Sequence, residues 1–65
     1  MTTRHQRVMH LLQDAHVNRW FAAGAEADDE YVAAFNFRLE ANAQERRAGE
    51  LLARPLVPGV QEVMP

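Results

Sequence analysis

The sequence predicts an all-α protein, an antiparallel two-helix hairpin followed by an extended C-terminal tail, with the hairpin completing a helical bundle on a second copy or another protein. Three observations lead there. Two long segments, about 3–22 and 28–53, are nearly free of glycine and proline, apolar residues recur along them at helical spacing, and only residues 23–27 join them. So short a connection makes consecutive helices antiparallel neighbours.

The first helix is announced by Thr3 and Gln6, whose spacing matches a capping box in which each side chain satisfies a backbone amide of the other's turn. From there "RHQRVMHLLQDAHVNRWFAA" runs to Gly24, a residue suited to a helix stop because it accepts positive φ cheaply. At 100° per residue Val8, Met9, Leu11, Leu12, Ala15, Trp20 and Ala22 form one broad apolar arc.

Before the second helix, "EADDEYV" gathers four acids that favour a helix N-terminus, with Asp28 as the expected N-cap. The helix continues through "AAFNFRLEANAQERRA" and past Gly49, since an interior glycine costs only about 1 kcal/mol relative to alanine. Pro55 then stops it at Arg54. On these bounds the second helix outruns the first by roughly 9 Å, and Leu51 and Leu52 overhang.

Apolar residues on the second helix fall into two stripes. One holds Tyr31, Val32, Phe35, Leu39 and Ala43; the other holds Ala34, Phe37, Ala41, Ala48 and Leu52, with alanine at 27, 34, 41 and 48 repeating every seven residues. A single neighbouring helix covers one stripe. The alanine stripe is expected to face a partner, because small residues let another backbone approach near the low end of the roughly 8–10 Å packing range.

After Arg54 the composition changes. Residues 55–65 hold three prolines and a glycine among apolar side chains, which excludes further helix and predicts an extended or turned segment. Such a tail either folds back over Leu51 and Leu52 through Leu56, Val57 or Val60, or docks on another chain, where proline lowers the ordering cost. The expected partner-binding residues are therefore Ala34, Phe37, Ala41, Ala48, Leu51, Leu52, Leu56, Val57 and Val60.

Charge supports the hairpin. Residues 1–22 carry Arg4, Arg7 and Arg19 against Asp14, whereas 26–54 carry seven acids against four arginines. Folding about 24–27 sets Arg19 near the acids at 28–30, Asp14 near Arg38, and Arg4 and Arg7 near Glu45 and Glu50. Exposed pairs contribute only about 0.2–1 kcal/mol each, so they select an arrangement more than they hold it.

A chain of 65 residues buries only about 60% of its unfolded surface, and with no cysteine it lacks both disulfides and thiolate metal sites. That deficit favours association. A net charge of −2 argues against nucleic-acid binding, which draws on neutralised phosphates. No run is long and apolar enough for a membrane span, and "MTTRHQRVMH" has no apolar stretch behind its charges, so a cytoplasmic protein is expected.

Chemistry is sparse. His5, His10 and His16 are spaced by five and six residues, not the three or four that let two helical side chains reach one ion. His10 and Asp14 read as a solvated ion pair, and the acids at 26–30 lack the ligand alternation of a calcium loop. No catalytic residue, metal ligand or cofactor is expected. The reading is a non-enzymatic protein–protein interaction module: a small accessory subunit or adaptor, in a homodimer or hetero-complex. The alternatives are a small inhibitor of a larger enzyme or complex, and a dimeric histidine-based metal or ligand module.

Overall fold

The computed structural model describes residues 2–54; the tail at 55–65, with the expected contacts of Leu56, Val57 and Val60, lies outside the described residues. Two helices, α1 (Arg4–Ala27) and α2 (Tyr31–Ala53), pack side by side as an antiparallel hairpin. At α1's start the Gln6 amide donates to Thr3 Oγ1 at 3.1 Å, and the Thr3 amide donates to Gln6 Oε1 at 3.0 Å. The capping box thus satisfies two amides that have no partner within the helix.

Gly24 does not stop α1. The helix runs on to Ala27, because alanines at 23, 25 and 27 are the strongest helix formers and burying Ala25 beside Ala34 adds to the seam. Termination falls instead to the acids. Asp28, expected to cap the second helix, is the C-cap of the first, and Asp29 takes the left-handed conformation at φ 60°. The Asp29 amide donates to the Glu26 carbonyl at 3.0 Å and the Glu30 amide to the Ala25 carbonyl at 2.8 Å. These two bonds are a Schellman motif, with aspartate in the place glycine usually takes. Short polar side chains tolerate that conformation better than others do, at some steric cost.

The turn therefore sits about four residues later than expected, and the helices are nearly equal, at 24 and 23 residues. Leu51 does not overhang: it is buried with Val8 and Ala48, and Leu11 packs against them. Arg54 is extended immediately before Pro55. The Arg4 guanidinium reaches across to the last turn of α2, donating to the Leu51 carbonyl at 3.5 Å and the Arg54 carbonyl at 2.7 Å. A cation is favoured at that end of the helix dipole.

The core is a seam of small residues. Val8, Ala15, Ala22 and Ala25 of α1 and Ala34, Ala41, Ala48 and Leu51 of α2 are its buried side chains. Positions 8, 15 and 22 repeat every seven residues, as do 34, 41 and 48, which keeps one face of each helix on the other along the whole hairpin. Midway, Asn18 Nδ2 donates to Gln44 Oε1 at 2.9 Å. A polar pair at a seam position penalises shifted registers, in which each amide would lose its partner.

Two outcomes follow from this packing. Replacing Asp29 by glycine relieves the left-handed strain but removes the carboxylate that accepts from Tyr31; in a Tyr31→Phe background, where that bond is already gone, it should stabilise the hairpin by about 1 kcal/mol, visible as a thermal midpoint roughly 4–8 °C higher. Ala41 is 0% exposed. Enlarging it to leucine should force the helices apart and lower stability by about 1–3 kcal/mol in chemical denaturation.

Candidate functional site

Burial is inverted relative to an ordinary hairpin. Among the described residues, six of the eight buried hydrophobic side chains are alanine, while Met9, Leu12, Val17, Phe21, Phe35 and Leu39 are 41–59% exposed, and Tyr31, Leu52, Trp20 and Val32 are 62–77% exposed. The two stripes of α2 have exchanged the roles expected of them. Ala34, Ala41, Ala48 and Leu51, assigned from the sequence to a partner, are covered by α1. Phe37 is half-buried, its ring 5.5 Å from Phe21, and among the expected contacts within the described residues only Leu52 stands well exposed. Tyr31, Val32, Phe35 and Leu39, assigned to the interior, point outward.

The reason is steric. Ala15 and Ala22 on α1 fit only small residues opposite them, and a Phe35–Leu39 seam would hold the axes apart and leave voids beside those alanines. The signal was present as the matching seven-residue repeat of α1 and α2. Trp20, Met9 and Leu12, grouped with the α1 seam on hydropathy, lie off it.

At 100° per residue, Met9 and Leu12 of α1 fall on the same broad side of the hairpin as Tyr31, Phe35 and Leu52 of α2. Ion pairs cross the middle of that side: Arg19 with Glu45, and Arg38 with Glu26. Arg19 also donates to Asn42 Oδ1 at 2.9 Å. Neither Arg19 with the acids at 28–30 nor Asp14 with Arg38 forms as expected, since the later turn shifts every cross-hairpin pairing. Gly49 lies on this side too, and among the described residues no atom beyond its own turn of helix comes within 4 Å of where a side chain would start.

Charge is unequal along the hairpin. Among the described residues, the half nearest the termini carries Arg4, Arg7, Arg46, Arg47 and Arg54 against Asp14, Glu45 and Glu50, a net +2. The half nearest the turn carries Glu26, Asp28, Asp29, Glu30 and Glu40 against Arg19 and Arg38, a net −3. At the turn the Tyr31 hydroxyl donates to Asp29 Oδ1 at 2.8 Å. That hydrogen bond, then partial desolvation and the nearby Glu26 carboxylate, raise the Tyr31 phenol above its ordinary range.

Elsewhere, Trp20, Phe21 and Phe37 wall an open depression of roughly 570 Å³ with Asp28 and Glu30 at its edge. Its rings form a short ladder, Trp20 on Phe21 at 5.6 Å and Phe21 on Phe37. It is apolar and shallow. Among the described residues no three His, Asp or Glu side chains gather to hold a metal, and His5, His10 and His16 are each exposed. Nor is any described helix long and apolar enough to cross a membrane. Compared with known proteins, the chain matches no family model, and no curated protein or solved structure matches it.

Tyr31 is the one tyrosine, so tyrosinate absorbance reports on it alone. Because the fold favours the neutral phenol, its stabilising bond persists below the ordinary tyrosine range and is lost as pH rises through the raised value. Alkaline titration should show a higher midpoint for the native chain than for Asp29→Asn; coincident curves would mean that the bond is absent in solution.

Proposed function

We propose that this chain is a non-enzymatic protein–protein interaction module whose docking surface is the set of large apolar side chains outside the alanine seam. One observation carries the reading: Tyr31, Val32, Phe35 and Leu39 of α2 face outward while alanines fill most of the seam. Small soluble monomers seldom expose contiguous apolar patches of more than a few hundred Å², and larger ones mark contact sites. Val32, Phe35 and Leu39, spaced three and four residues apart, supply such a patch with Tyr31 at its edge.

The role this suits is a small accessory subunit or adaptor that completes its own core on assembly. An inhibitor that caps a larger enzyme would use the same surface.

The test is the intact mass of the assembly carrying this chain in its native host, compared between the native sequence and Phe35→Glu and Leu39→Glu variants. Both sites are at least 50% exposed, so helicity by circular dichroism should survive while the assembly is lost. Assemblies that form equally well with either charge in place would overturn the reading.

A further inference from the structure

We infer that a second copy of this chain covers the side carrying Met9, Leu12, Tyr31, Phe35 and Leu52, reversed end for end to form an antiparallel four-helix bundle. This rests on reading the exposed apolar groups as a docking surface, and it names the occupant of one side. The first argument is charge. On this side the ion-paired charges are Arg19, Arg38 and Glu26 in the half nearer the turn and Glu45 in the half nearer the termini, so two copies pointing the same way would set like charges together. Reversal sets Arg38 of each copy beside Glu45 of the other. A two-fold axis across the middle makes every such contact twice.

The second argument is shape. Asn42 is the midpoint of α2, and Phe35 and Gly49 lie equally far to either side of it. Reversal about Asn42 therefore brings Phe35 over Gly49 of the second copy. Among the described residues nothing occupies the space above Gly49, although glycine is disfavoured inside a helix. It leaves a hole of the kind a phenylalanine ring fills. The same reversal brings Tyr31 to Leu52 and Arg38 to Glu45, joining the Arg38–Glu26 and Arg19–Glu45 pairs into one network across the interface.

Area is sufficient. A side about 36 Å long and two helices wide offers roughly 700 Å², close to the approximately 800 Å² per partner of a stable interface.

Light scattering of the full chain at micromolar concentration should give twice the 7.4 kDa chain mass. Gly49→Gln favours the helix but fills the hole, so it should weaken self-association by roughly tenfold or more without loss of helicity. The chain has no cysteine, so Asn42→Cys, placed at the axis, should oxidise to a disulfide-linked dimer, and Asn36→Cys on the opposite side should not. A dimer indifferent to Gly49→Gln and not linked through position 42 would overturn this arrangement. A single chain mass up to submillimolar concentration would overturn the second copy as occupant. In that event, loss of the host assembly in Phe35→Glu leaves the docking surface standing with another occupant, and an unaffected assembly removes both.

Discussion

Burial of alanine at 15, 22, 34, 41 and 48 between the two helices sets how closely they lie, and most other features of the molecule follow from that distance. Every one of these side chains is at most 1% exposed. A seam built from the smallest apolar side chain packs densely only if the backbones come close, and close backbones leave no volume between them for a phenylalanine or leucine along most of the length. Larger groups enter at the ends, where Val8 and Leu51 meet near the termini and Phe37 leans on the cluster near the turn. The remaining large side chains are displaced outward by the same geometry.

Such a seam holds the helices together but slides easily, because alanine repeats look alike at every heptad. Polar contacts fix the alignment. The Asn18–Gln44 hydrogen bond occupies the centre, Arg4 ties the start of α1 to the end of α2, and the Schellman bonds at Asp29 and Glu30 fix where the chain reverses. A slip by one heptad would preserve alanine contacts while breaking all three. Apolar packing therefore supplies cohesion here and hydrogen bonds supply register.

An alanine core also bears on what the protein does. Each buried alanine removes far less apolar surface from water than the leucine or phenylalanine that ordinarily fills such a position. The interior of this hairpin is correspondingly light, and the unspent apolar surface lies outside, on both helices. That distribution is the ground for proposing that the chain gains stability by association.

What the sequence determined by itself is what local physics controls. The helical segments follow from residue propensity and from the near-absence of glycine and proline; the start at Thr3 follows from a capping pattern only three residues wide; the hairpin follows from a connection too short for any other arrangement. Which stripe of α2 faces inward was decided by tertiary structure. Both stripes are apolar at helical spacing, so hydropathy ranks the one with Tyr31, Phe35 and Leu39 as the better core, and only the shape of the opposing surface at Ala15 and Ala22 selects alanine. The turn shows the same division. Gly24 has the intrinsic freedom to end a helix, yet burial of Ala25 against Ala34 carried α1 past it, and aspartate took a conformation that its own preference alone would not have assigned.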